Sequence, residues 1–284
     1  MAKAWFVALA ISAAVALTSA QQRIAVGVMT RTGYLLPYFQ ISGDSIVPLT
    51  SNGRMLPAVS ALERMPWTLT TIADGLTTEV RATSRQQLDM GYEFRDAWRT
   101  TFKGRPWPSY AVPIPKVGLA TQGVTAVAAE NLVVNNDDGS RGVRAHVTRL
   151  AHSRESQFLR EEPDHPANKV PLAERRRTVV RLDKLWRRHA NGLDTYYFEA
   201  TKRYGPYVLV VTGWIVGKGD DLTPHFVTLK PADDEHKRGV YRHLLGIIPM
   251  EKRELWVMEE HYYEGEGWMI REWPSGKCAL DGCN

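Results

Sequence analysis

Short runs of β-forming residues recur from Ile24 to Trp273, each closed by a cluster of turn residues. Ile24–Thr30 and Tyr34–Ile41 flank Arg31-Thr32-Gly33. That spacing predicts a three-residue hairpin loop with Gly33 in the left-handed conformation. Ser42-Gly43-Asp44 carries the meander on toward Ser45–Leu49. Trp67–Ile72 and Leu76–Thr83 flank Ala73-Asp74-Gly75 with the same grammar. Asn135-Asn136-Asp137-Asp138-Gly139 reads as another hairpin tip, ahead of Val143–Leu150. Tyr207–Val216 and His225–Lys230 flank Gly217–Asp221, and Leu255–Tyr263 and Trp268–Trp273 flank Glu264–Gly267.

A β-α-β alternation is missing, which argues against a parallel sheet. The pattern predicts a mainly β, antiparallel multi-strand architecture, propeller-like or a two-sheet sandwich, with at most one or two helices. No strict repeat period accompanies it. Two stretches resist the strand reading. Val124–Val134 suits a buried helix or a strand equally, because a short apolar run does not separate them. Leu172–Ala190 leans toward helix, with Val179, Leu182 and Trp186 at helical spacing and Asn191-Gly192 as its stop; Thr178-Val179-Val180 would also serve a strand.

The first twenty residues predict export. Lys3 gives a short positive region, Trp5–Leu17 is unbroken apolar chain, and Thr18-Ser19-Ala20 offers small residues for cleavage before Gln21. Thirteen apolar residues make a helix of about 20 Å against a hydrocarbon core of about 30 Å, so a signal peptide fits better than an anchor. The expected compartment is secreted or periplasmic, with no membrane span after cleavage. Residues 21–284 then form a single large β domain, or two halves, 21–105 and 116–284, joined by a proline-rich crossover over 105–115. The four prolines there forbid a helix and a central strand.

Loss of Lys3 takes the net charge from +5 to +4, a mild excess that does not imply nucleic acid. Cys278 and Cys283 are the two cysteines, in the tail CALDGC, and an oxidising compartment predicts a disulfide between them. So short a ring stiffens the last turn rather than the whole fold.

Catalytic signatures are sparse. The chain has no G-x-S-x-G elbow, no H-E-x-x-H, and no phosphate loop; Gly213–Gly219 has the wrong spacing for one. An EF-hand aligned on Gly139 would place Val134 and Ala145 at ligand positions. Glu259–Glu266 groups His261 with four carboxylates, but on a strand Glu260 and Glu264 fall on the face opposite His261, which weakens a shared metal site. No motif points to a cofactor, and no catalytic residue can be nominated.

The steepest local charge lies in Lys169–His189, with eight basic residues against Glu174 and Asp183. On a helix, Arg177, Arg181, Lys184 and Arg188 would form one stripe, backed by Val179, Leu182 and Trp186 toward the core. Such a stripe suits an anionic glycan or envelope surface. The competing reading is a solvated face neutralised by Glu155, Glu161, Glu162 and Asp164. Secreted binders stack sugars on exposed aromatics, and Trp107 and Tyr110 beside the prolines, with Tyr262 and Tyr263 near a turn, are the ones expected to be exposed. The functional expectation is an exported, non-enzymatic β-protein presenting loops to an extracellular or envelope partner. The alternative is an exported hydrolase acting on a glycan through carboxylates that the sequence does not place.

Overall fold

The computed structural model describes residues 23–72, 75–90, 94–102, 105–106, 116–133, 138–204, 207–219, 221–232, 241–262 and 265–278. Among these, 60% lie in strands and 19% in helices, against an ordinary strand content of about 20–25%, so the fold is mainly β. The paired strands run antiparallel. The described residues fall into two compact units: those up to Thr70 with Thr77–Ala126, and Thr71–Leu76 with Val127 onward.

The first unit contains β1 (Arg23–Thr30), β2 (Tyr34–Ser42), β3 (Ser45–Pro48), β4 (Thr50–Ser51), β5 (Arg54–Met55), a one-turn helix α1 (Ser60–Glu63), β6 (Trp67–Thr71), β7 (Thr77–Asp89), β8 (Phe94–Phe102), β9 (Arg105–Pro106) and β10 (Lys116–Gln122). The order β2-β1-β10-β6-β7-β8 closes on itself where Tyr34 and Leu35 of β2 pair with Arg99 and Trp98 of β8. The result is a six-stranded barrel, an architecture that turn spacing does not distinguish from a sandwich. Gly33 has φ +82°, as the hairpin loop requires, and Gly75 has φ +68°. Trp67 and Trp98, ring centroids 5.9 Å apart, fill the core with Met29, Leu35, Leu69 and Val80. A barrel of this size is packed with side chains, not hollow. Both β9 and β10, on either side of the proline-rich 107–115, belong to this sheet.

The second unit begins with β11 (Glu130–Asn131), α2 (Asp138–Glu161) and α3 (Leu172–Arg177), followed by β12 (Val180–Ala190), β13 (Leu193–Tyr204), β14 (Tyr207–Lys218), β15 (Asp221–Pro231), β16 (Tyr241–Pro249), β17 (Glu254–Tyr262) and β18 (Gly265–Trp273). Strands β11 to β15 form one sheet and β16 to β18 another. Period-two alternation splits the five-stranded sheet into two apolar faces. Leu185, Phe198, Ala200, Val211 and Ile215 pack against Val143, Val147 and Ala151 of α2. Trp186, Tyr197 and Trp214 pack against Leu244, Trp256 and Met258 of the three-stranded sheet. Trp214 meets Trp256 edge-on with centroids 4.6 Å apart, the arrangement that the ring quadrupole favours.

Four expectations are corrected here. Val143–Leu150 is not a strand after a hairpin tip but the first half of α2. Its core contacts recur every fourth residue, at Val143, Val147 and Ala151, one stripe of a helix. Leu172–Ala190 is not one helix: α3 ends at Arg177, and β12 starts at Val180, where the β-branched residues take over. Asn191-Gly192 does not stop a helix. With φ +53° and +76° it forms the two-residue turn between β12 and β13, the turn that Asn-Gly specifies most strongly. Of Val124–Val134, the described residues 124–133 form neither a helix nor a full strand: Val127 bridges Ile247, and Glu130–Asn131 forms a two-residue edge.

Candidate functional site

The stripe of α2 that packs on the sheet continues past Ala151 to Glu155 and Leu159, still at four-residue spacing. Glu155 therefore carries a carboxylate at a core-facing position. The alternation of β13 does the same with opposite charge: Tyr196, Phe198 and Ala200 face α2, and Lys202 and Tyr204 follow at the same parity. The helix stripe and the strand alternation converge, so Lys202 and Glu155 meet with side chains only 2% and 5% exposed. A buried charge is tolerated when it is paired, and here Nζ of Lys202 donates to Oε2 of Glu155.

His152, one turn earlier on α2, completes the polar cluster. Lys202 Nζ lies 3.2 Å from its Nδ1, and that nitrogen lies 3.8 Å from Oε2 of Glu155. An ammonium only donates, so Nδ1 accepts and the ring proton sits on Nε2. Burial and the Lys202 charge push the His152 pKa down, against the opposing pull of Glu155.

The loop after α2 is fixed by its own hydrogen bonds. Asn168 Nδ2 donates to the carbonyls of Leu159, Glu162 and Pro163, capping the helix end. His165 Nδ1 accepts from Ala167 N–H at 3.2 Å, and Ala167 packs with Leu159, Tyr204 and Leu209. This brings α3 beside the second half of α2. Between them opens a cavity of about 430 Å³, lined by His152, Ser153, Glu155, Ser156, Leu172, Arg175 and Arg176. That volume falls in the range of small-molecule sites, about 300–1,000 Å³.

Oε1 of Glu155, Nε of Arg175 and the hydroxyl of Tyr204 are buried and make no aligned hydrogen bond among the described residues. Burial and the neighbouring Glu155 carboxylate raise the Tyr204 pKa, so this phenol is a neutral donor at ordinary pH. Leaving a buried polar atom unmade costs about 1–3 kcal/mol. Glu155 and Arg175 belong to the cavity lining, and Tyr204 stands beside Glu155.

The anticipated basic stripe is distributed differently. Arg177 is exposed at the end of α3. Arg181 pairs with Asp183 at 2.6 Å, and Arg188 with Glu254 at 3.4 Å. A bulge between Leu182 and Lys184 places Lys184 opposite Glu199, whose carboxyl it influences. Of the residues expected behind the stripe, Val179 is 80% exposed, whereas Leu182 and Trp186 join different cores. The helical stripe does not form, because β12 is a strand. Glu155 does not neutralise these arginines; it is committed to Lys202. Trp107, Tyr110, Tyr263 and Cys283 lie outside the described residues, as does the segment 1–22. Cys278 is described and bridges Arg271 at the backbone.

Two further buried charge clusters are internally paired. Between the two sheets of the second unit, Arg242 donates to Glu199 at 2.8 Å and to Glu260, and the Tyr197 hydroxyl donates to Glu199 at 3.1 Å. Burial raises the Glu199 pKa despite Arg242. Glu260, from the acidic group around His261, is thus engaged with an arginine. In the barrel, Asp96 accepts from Met55 N–H at 2.9 Å and pairs with Arg85. These partners outweigh its burial and hold its pKa down.

No protein-family model, no curated protein and no solved structure matches this chain. The function therefore rests on the site itself.

Proposed function

We propose that the chain is an exported, non-enzymatic β-protein that binds an acidic glycan of an extracellular or envelope surface through the cavity between α2 and α3. The observation that carries the reading is Arg175 and Arg176 bordering a cavity whose wall holds the buried Glu155, itself neutralised by Lys202. Paired guanidinium groups recognise planar carboxylates through fork-like hydrogen bonds. Glu155 is the single carboxylate among the described lining residues. Glycoside hydrolysis by a carboxylate pair needs two carboxyls about 5–10 Å apart, so the site suits binding better than hydrolysis. Export follows from the segment Lys3–Ala20, and an oxidising compartment favours a Cys278–Cys283 disulfide. Among the described residues no helix is long and apolar enough to cross a membrane.

The test is retention of the full exported chain on a polyuronate matrix and on neutral dextran. Salt-sensitive retention on the polyuronate alone is expected; equal retention on both, or on neither, contradicts the reading. Intact mass of the exported chain should begin at Gln21, and thiol titration of the native protein should find no free cysteine.

A further inference from the structure

Resting on the reading of the chain as an acidic-glycan binder, we infer that α2 and α3 bind an internal stretch of a linear glycan with an acid group on successive units, laid along α2 across the cavity. The arginines of the second unit divide by element. Arg181, Arg187 and Arg188 of β12 are spent inside the protein, on Asp183, Glu130 and Glu254. Arg149 and Arg160 of α2, and Arg175 and Arg176 of α3, form no ion pair with any described residue. The guanidinium of Arg149 meets the ring of His146 at 3.3 Å. Glu161, Glu162, Asp164 and Glu174, the acids nearest in sequence, pair with none of the four.

Helical spacing turns these groups into a row. Residues 149, 153, 156 and 160 follow at intervals of four, three and four, so they share one face of α2. Arg149, Ser153, Ser156 and Arg160 are all exposed there, while Val143, Val147 and Ala151 carry the opposite face into the core. Ser153 and Ser156 line the cavity, so Arg149 stands beyond one end of it and Arg160 beyond the other. At a rise of about 1.5 Å per residue the two are about 16 Å apart along the axis, longer than a disaccharide. Arg175 and Arg176 border the middle of the row from α3.

Charge complementarity selects a linear polyanion as the occupant. A single acidic unit at Arg175 and Arg176 leaves Arg149 and Arg160 unused. A chain with an oxyanion on successive units brings one to each guanidinium, and the serine hydroxyls between them meet sugar hydroxyls. A flat anionic membrane would touch the rims and leave the serine-lined hollow empty. Exposed ion pairs are worth about 0–1 kcal/mol each, so the row acts by repetition. Each further contact forms at the effective concentration set by the first.

The experiment measures the affinity of the full mature chain for di-, tetra- and hexagalacturonate at low salt by isothermal titration calorimetry. Sulfated maltohexaose, neutral maltohexaose and phosphatidylserine vesicles are the further probes. Affinity should rise at least tenfold from di- to hexagalacturonate, with no binding of neutral maltohexaose. Arg149→Ala with Arg160→Ala should lower hexagalacturonate affinity about tenfold and leave the circular dichroism spectrum unchanged, because both side chains are exposed. A length gain with sulfated maltohexaose in place of hexagalacturonate would support the row and identify the acid group as a sulfate ester. Equal affinity for di- and hexagalacturonate, or an undiminished length gain in the double variant, would overturn this inference; retention on polyuronate would then leave the glycan reading standing. Tighter binding of the vesicles than of any oligomer would overturn it in favour of a membrane surface. Binding of no oligomer, with no retention on polyuronate, would overturn both.

Discussion

Lys202 of β13 and Glu155 of α2 form an ion pair with side chains 2% and 5% exposed, although each stands in line with apolar core residues on its own element. Removing either partner leaves an uncompensated buried charge, which costs about 3–5 kcal/mol. Lys202→Met should therefore destabilise the second unit by about that much. Adding Glu155→Leu should restore stability to the wild-type level or above, since apolar replacement of a buried pair is often neutral or stabilising by about 1–4 kcal/mol. Urea unfolding followed by tryptophan fluorescence reads this directly. A double variant as unstable as the single one would show that the pair serves stability rather than a ligand.

His152 gives the second unit a defined pH response. Burial and Lys202 lower its folded pKa below the ordinary 6.5. The unfolded chain then binds more protons between the two values, so stability is fully present above about pH 6.5 and declines as pH falls through that window. His146, on the same helix, is lowered by burial and Arg149 and contributes with the same sign. The melting temperature should fall on acidification from pH 7 to 5, with a shallower slope in His152→Gln. An unchanged slope in that variant would contradict the proton assignment.

Two glycines with left-handed backbones separate conformational strain from packing. Gly192 has φ +76° and open space around an added Cβ. Gly192→Ala should cost only the backbone term, about 1–2 kcal/mol. Gly276 has φ +67°, and an added Cβ would stand 2.3 Å from Cγ of Phe226. Gly276→Ala should cost distinctly more in the same unfolding assay. Equal losses would mean that the Phe226 ring moves aside freely.

The hairpin grammar was legible because Gly33 and Gly75 occupy conformations that turn chemistry alone demands. Asn191-Gly192 carried the same signal, and the basic run before it masked it. The helix Asp138–Glu161 was hidden by Val143, Val147 and Thr148, whose β-branched side chains suit strands, and by a polar residue, Glu155, inside its apolar stripe. That interruption was also the available clue to the site. A glutamate at a core position of one element and a lysine at a core position of another, Lys202 in the alternation of β13, are legible singly. Their meeting depends on how α2 crosses the sheet, which local propensity does not encode. Arg175 and Arg176 fell within the segment singled out for its charge. The partition between them and the strand-borne Arg181 and Arg188 required knowing where α3 ends.

The most direct test compares polyuronate affinity of three full-length mature proteins at low and moderate salt: wild type, Arg175→Ala with Arg176→Ala, and Arg177→Ala with Arg181→Ala and Arg188→Ala. Each charge-assisted hydrogen bond is worth about 1.5–3 kcal/mol, so the cavity variant should bind at least tenfold more weakly than wild type. The strand variant removes partners of Asp183 and Glu254 and should change affinity less than threefold at moderate salt. Full affinity in the cavity variant, with loss confined to the strand variant, would contradict the account and return the contact to the strand surface.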